Sequence, residues 1–139
     1  MELIANALQT VDTGANIQFT DEVVGGCNSI LHRSGSGLVT LRGMTNQCRA
    51  RFKVFFSGNI AIPTGGTVEA ISLAISVNGE AIASTTMIQT PAAVEEFANV
   101  ATAAYLDVPA GCCISVAVRN TSEQAIDAQN ANLIVERVA

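Results

Sequence analysis

The sequence predicts a single all-β domain, an antiparallel sandwich or barrel of about eight to ten short strands. Three observations lead to this prediction. Apolar and polar residues alternate with a period of two through much of the chain, as they do in half-buried strands. Glycine, proline and asparagine separate these stretches at regular spacing. The 139 residues fit one domain of ordinary size, and no repeat or linker divides them.

Composition excludes several classes of protein. The chain is 49% hydrophobic and only 14% charged, which is typical of neither a disordered chain nor a coiled coil. The net charge of −5, with seven lysines and arginines, argues against a nucleic-acid binder of the basic-patch kind. No stretch is apolar for long enough to span a membrane. The N-terminus has no basic segment and does not resemble a signal peptide.

The first half of the chain contains the clearest predicted strand, at 49–56. One face carries only apolar residues, namely Ala50, Phe52, Val54 and Phe56. The other face carries Arg49, Arg51 and Lys53. Shorter strands are predicted before it, at 17–20 and 38–41.

The second half begins with a predicted hairpin. Large apolar residues share one face of the strand at 68–77, namely Ile71, Leu73, Ile75 and Val77, with alanine and serine opposite. Asn78-Gly79 follows and predicts a type I′ turn, because both central positions of that turn need a positive φ. The returning strand is predicted at 81–88.

The remaining elements repeat this pattern. Residues 91–97 are the only candidate helix, with Pro91 in a first-turn position. Strands are predicted at 99–108, 112–118 and 133–138, and a turn at 108–111 separates the first two. Several strands carry small or apolar residues on both faces. A jelly-roll protomer that buries one flank against its own copies, in a contact that closes with cyclic symmetry, would have this pattern.

The four cysteines are Cys27, Cys48, Cys112 and Cys113. Without a secretory signal, reduced thiols are favoured over disulfides. Their spacing does not match a zinc site. They are interpreted as small buried hydrophobic residues.

No catalytic, cofactor-binding or metal-binding residues are predicted, and the chain is not expected to be an enzyme. His32 lies near serines in the sequence, but no nucleophile elbow surrounds any of them. The adjacent carboxylate pairs Asp21-Glu22 and Glu95-Glu96 fit solvated loops better than a catalytic pair. The basic face of Arg49, Arg51 and Lys53, together with Arg42, suits an anionic partner, an inter-subunit contact or simple solvation.

A family resemblance adds to these expectations. It rests on the segments 17–20, 52–56, 59–63, the small-residue strand before Asn78-Gly79, and the closing segments 108–111 and 130–138. In strand order and turn placement these resemble the jelly-roll domains of the TNF/C1q-like superfamily, in particular a branch found in phages and prophages. The resemblance implies a ten-stranded jelly roll that assembles as a tight homotrimer. Residues 1–16 would form an N-terminal arm or first strand, and residues 17–139 the jelly-roll domain.

The resemblance also implies a function. A trimer of this kind would be a non-enzymatic phage structural protein, decorating or stabilising the capsid on the virion. Its partners would be its own copies and the major capsid protein or another virion protein. The alternative is a receptor- or carbohydrate-binding tip of a phage fibre, whose partner would be a host surface glycan. No cofactor, nucleic acid or membrane is expected.

Nine residues are predicted to lie in the trimer interface or in the core, and alternation alone does not divide them between the two. They are Phe52, Val54, Phe56, Leu73, Ile75, Tyr105, Val116, Leu133 and Val135.

Overall fold

The computed structural model describes residues 1–139 and contains twelve β-strands and one short 3-10 helix. The strands are β1 (Glu2–Ala5), β2 (Gln9–Val11), β3 (Asp21–Val24), β4 (Ile30–His32), β5 (Val39–Arg42), β6 (Arg49–Ala61), β7 (Ile71–Val77), β8 (Glu80–Ala81), β9 (Met87–Gln89), β10 (Ala98–Pro109), β11 (Cys113–Asn120) and β12 (Ile126–Arg137). The 3-10 helix is Ala83–Thr85. No helix is long and apolar enough to cross a membrane.

Two antiparallel six-stranded sheets face each other. Sheet I has the order β10-β6-β12-β1-β3, with β2 also paired to β12. Sheet II has the order β4-β5-β11-β7-β8, with β9 also paired to β7. Long crossovers between the sheets place strands distant in sequence side by side, which is the jelly-roll arrangement. The predicted all-β antiparallel jelly roll is therefore confirmed, with twelve strands where about eight to ten were expected.

The hydrophobic core lies between the inner faces of the two sheets. From sheet I, β6 contributes Phe52 and Phe56, and from sheet II, β7 and β11 contribute Leu73, Ile75 and Val116, all of them fully buried. Each large apolar side chain buried in this way stabilises the fold by roughly 1.5–3 kcal/mol. Residues 49–56 therefore form a strand as predicted, because one face of this segment is apolar throughout.

The predicted turn after β7 is confirmed. Asn78 has φ 52° and Gly79 has φ 85°, the two positive values that a type I′ turn requires. Asparagine and glycine are the residues that adopt this conformation with least strain.

Three predicted elements are absent or interrupted in the structure, and the last predicted strand begins earlier, at Ile126. Residues 17–20 form no strand, because their backbone hydrogen bonds go to different segments of the chain. The amide of Ile17 donates to the Val118 carbonyl oxygen, and the amide of Phe19 donates to the Ser36 carbonyl oxygen. Residues 81–88 are interrupted by the 3-10 helix, where the buried Thr85 hydroxyl bonds the Ile82 carbonyl oxygen at 2.7 Å. Residues 91–97 form turns and bends rather than a helix.

The missing helix has a local cause. Glu95 has φ 60°, a left-handed conformation that cannot continue a right-handed helix. Its amide donates to the Ile62 carbonyl oxygen at 2.8 Å. The segment is therefore bound to the loop that follows β6 instead of to itself.

Residues 1–16 include β1 and β2, which both extend sheet I. β1 lies between β12 and β3, and Leu3 is opposite Leu133 in register. Leu3 is fully buried and Val11 nearly so. Both strands thus contribute side chains to the core.

Candidate interaction surface

The outer face of sheet I carries apolar side chains where solvent-facing residues are usually polar. Phe55 on β6 lies in register between Ala103 on β10 and Ile134 on β12. Ile134 is 36% exposed, and Tyr105, two residues along β10 from Ala103, is 65% exposed. The centre of this face is therefore apolar and accessible.

The two edges of sheet I add to this surface. β10 pairs only with β6 in its sheet, which leaves one side of a 12-residue strand without a ladder partner. At the opposite edge, all four residues of β3 are exposed, including Val23 and Val24 at 55% and 54%. A long strand such as β10 with one side unpaired is uncommon in monomeric proteins, because it invites pairing with another chain. We call Phe55, Tyr105, Ile134, Val23 and Val24 the sheet I surface.

An ion-pair cluster occupies one end of this face. Arg51 binds Asp107 in a bidentate manner, with Nε to Oδ1 at 2.8 Å and Nη2 to Oδ2 at 3.1 Å. Arg49 Nε lies 3.1 Å from Asp107 Oδ2. The hydrogen bonds from Arg51, followed by its charge and that of Arg49, hold the pKa of Asp107 below its ordinary value. The same contact raises the pKa of Arg51.

This cluster changes the interpretation of the basic face. Two of its three cations, Arg49 and Arg51, share a carboxylate, and Lys53 stands opposite Glu136 in register. Arg42 lies in β5 of sheet II, where its Nη1 donates to the Asn28 carbonyl oxygen at 3.2 Å. These four residues therefore do not form one cationic surface.

The ion pair predicts a specific pH dependence. Because the pKa of Asp107 is lower in the folded chain, its contribution to stability is present above the unfolded value of about 3.9 and is lost as the pH falls through the folded value. We expect the Tm to fall more steeply below about pH 4 in the wild type than in Asp107→Asn, as measured by circular dichroism. The difference should be small and should shrink in high salt, since the groups are exposed. Asp12→Asn, which makes the same charge change outside any ion pair, should keep the wild-type slope; equal slopes in all three proteins would contradict the prediction.

The cysteines are not buried, and their interpretation as core residues was wrong. All four are free and exposed. They lie in or beside the connections at one end of the sandwich. Cys27 Sγ lies 2.9 Å from Ser29 Oγ, and this hydrogen bond lowers the pKa of the Cys27 thiol.

The structure separates the nine predicted interface or core residues into two groups. Eight are fully buried within the chain: Phe52, Val54, Phe56, Leu73, Ile75, Val116, Leu133 and Val135. Tyr105 alone is exposed. The nine do not include Phe55 and Ile134. A signal for Phe55 is present in the sequence, because this aromatic residue falls on the face of β6 that carries Arg51 and Lys53.

The surface has only shallow hollows. One of about 340 Å³ lies beside β4 and β5, where His32 Nε2 bonds the Ser36 carbonyl oxygen at 2.8 Å rather than a serine hydroxyl. Another of about 230 Å³ is lined by Phe97 together with Gln89, Thr90 and Glu96. No three His, Cys, Asp or Glu side chains converge as metal ligands.

Comparisons with known proteins support the fold. No family model matches the chain, and no characterised protein matches it in sequence. Among solved structures, the globular domain of zebrafish complement 1qA is similar, with a TM-score of 0.62, 10% identity, and coverage of 96% of this chain and 93% of that one. Eiger TNF from S. frugiperda is also similar, with a TM-score of 0.70, 14% identity, and coverage of 100% and 92%. The chain therefore has the jelly-roll fold of C1q and TNF domains.

Proposed function

We propose that this chain is a non-catalytic module that assembles with its own copies into a closed homotrimer through the sheet I surface. The observation that carries the proposal is the exposure of apolar side chains at the centre and both edges of one sheet. Tyr105 on β10 and Val24 on β3 are 65% and 54% exposed, at the two opposite edges of sheet I.

The placement of these residues suggests how copies meet. The β10 edge and the β3 edge are different surfaces, so a contact that joins one to the other is heterologous. Such a contact closes into a ring when its rotation allows. The resemblance to TNF/C1q-like domains favours a ring of three.

The ion-pair cluster at one end of this face is compatible with burial. Asp107 compensates Arg51 within the same protomer at 2.8 Å, so association does not leave that cation without a partner. Burying an unpaired charge would oppose assembly strongly. The interface would then gain from the apolar area of Phe55, Tyr105 and Ile134.

The test is the mass in solution. We expect light scattering after gel filtration to give three times the 14.4 kDa chain mass, independent of protein concentration. Tyr105→Glu and Ile134→Glu should shift the mass toward the monomer, because each places a charge in the proposed interface. Leu31→Glu is the matched control, since Leu31 is 44% exposed on sheet II, and it should remain trimeric. A wild-type monomer at every concentration, or equal dissociation of the Leu31 variant, would refute the proposal.

The finer part of the proposal is that the trimer decorates or stabilises a phage capsid. It is supported by the sequence resemblance to phage and prophage jelly rolls and by the exposed edges of sheet I, which suit a protein that works as an assembly. Mass spectrometry of gradient-purified virions from a phage whose genome encodes this protein should detect it at a fixed ratio to the major capsid protein. Detection only in the unassembled soluble fraction would argue against this role.

The second candidate function is glycan binding at the hollow beside β9. Phe97 is 42% exposed and lines that hollow with Gln89, Thr90 and Glu96. An aromatic ring beside polar side chains is a combination that suits a sugar ring. A glycan array that shows binding abolished by Phe97→Ala would favour this candidate.

A further inference from the structure

All four cysteines lie at the same end of the sandwich. Cys27 is in the connection between β3 and β4, Cys48 directly precedes β6, and Cys112 and Cys113 lie where the turn after β10 leads into β11. All are exposed and free. Free cysteine is usually among the most buried residue types, so packing does not explain four exposed thiols in one place.

Cys48 and Cys112 belong to two segments that are held together by backbone hydrogen bonds. The loop 43–48 contacts the turn 109–112 at both of its ends. At one end the amide of Gly43 donates to the Cys112 carbonyl oxygen at 2.8 Å, and at the other the amide of Ala110 donates to the Cys48 carbonyl oxygen at 3.1 Å. A side chain at Gly43 would overlap the carbonyl oxygen of Pro109, so loop and turn are in direct contact.

These bonds limit the separation of the two thiols. An antiparallel hydrogen-bonded pair has its Cα atoms about 5.5 Å apart, and Cys112 follows Ala110 by two residues of at most about 3.8 Å each. The Cα atoms of Cys48 and Cys112 are therefore no more than about 13 Å apart. A disulfide needs about 4.4–6.8 Å, so the two Cα atoms must approach each other by about 6 Å at most. This requires a rearrangement of residues 110–112 and of the loop 43–48, which all lie outside the strands.

The neighbouring cysteines are less suitable partners. Cys113 pairs with Arg42 inside the β11–β5 ladder, and Ile114 beside it packs against the core. Alternation therefore directs Cys113 to the outer face of sheet II, away from the start of β6, where Cys48 lies. Cys27 precedes β4, which β5 separates from β11.

We propose that Cys48 and Cys112 are a thiol pair that forms a reversible intramolecular disulfide under oxidation by a low-molecular-weight disulfide. One thiolate attacks the oxidant, forms a mixed disulfide and releases one thiol of the oxidant. The second cysteine then displaces the other thiol, so a Sγ–Sγ bond forms as the oxidant's S–S bond is reduced to two thiols. The cross-link would lock the loop 43–48 onto the turn 109–112.

The experiment is an equilibration of the full chain with graded ratios of oxidised to reduced glutathione, followed by acid quenching and maleimide labelling. We expect two of the four thiols to be protected at oxidising ratios, and peptide mapping of the unreduced digest to show Cys48 joined to Cys112. The Tm should rise by roughly 5–10 °C on oxidation and return on reduction. The native mass should be the same in both states, which separates this result from the test of assembly.

Variants distinguish the proposed pair from the other thiols. Cys48→Ser and Cys112→Ser should each abolish the protected pair, whereas Cys113→Ser, the adjacent control, and Cys27→Ser should retain it. Four labelled thiols at every ratio, a linkage through Cys113 or Cys27, or cross-links only between chains would overturn the proposal.

Discussion

Replacing Phe56 by alanine is expected to lower the free energy of unfolding by about 3–5 kcal/mol. Phe56 is fully buried at the centre of sheet I, where it lies opposite Leu133 of β12. The substitution removes the buried ring and leaves a cavity that rigid neighbouring strands cannot fill. Domains of this size are usually stable by only about 5–15 kcal/mol, so the loss would be a large part of the total.

The measurement is urea unfolding followed by circular dichroism at one fixed protein concentration, since association would couple to unfolding. Phe97→Ala is the matched control, because it makes the same chemical change at a ring that is 42% exposed. It should cost less than about 1 kcal/mol. A Phe56 variant no less stable than the Phe97 variant would show that the two sheets do not pack as described.

The sequence was most informative where one local rule acted alone. In residues 49–56 of β6 every second residue is apolar and buried, so the sequence period and the burial agree. The Asn78-Gly79 turn was predictable because the conformation it needs is open to few residue types. Both features are set by residues close together in the chain.

The sequence was least informative where distant segments decide the outcome. The helix expected at 91–97 is absent because Glu95 bonds the Ile62 carbonyl oxygen, a partner that no local pattern reveals. The cysteines were assigned to the core from their residue type. Their exposure instead depends on where the folded chain places three connections, β3–β4, β5–β6 and β10–β11, which are distant in sequence. Period-two alternation places Phe55 on an outer face but does not indicate that Ile134 lies beside it.

The sequence also does not indicate the hydrogen bonds of Asn120, which lies at the end of the sandwich opposite the cysteines. Asn120 ends β11 and is only 1% exposed. Its Nδ2 donates to the carbonyl oxygens of Val11 at 2.9 Å and Gln124 at 3.0 Å. Its Oδ1 accepts from the amide of Ser122 at 2.9 Å. One side chain thus connects β2 to the loop between β11 and β12.

Replacing Asn120 by alanine is expected to lower the free energy of unfolding by about 2–4 kcal/mol, because three backbone groups lose their partner and most of them are buried. Unlike a core truncation, the loss should be accompanied by faster hydrogen exchange at the Ser122 amide, which the Asn120 side chain otherwise binds. Asn99→Ala is the matched control. Its Nδ2 also has two contacts, to the Gly58 carbonyl oxygen and Asn59 Oδ1, but water can replace those at the sheet surface, so a change within about 0.5 kcal/mol is expected. If the two variants lost equal stability with no change in hydrogen exchange at the Ser122 amide, the Asn120 side chain would not be what holds β2 against this end of the sandwich.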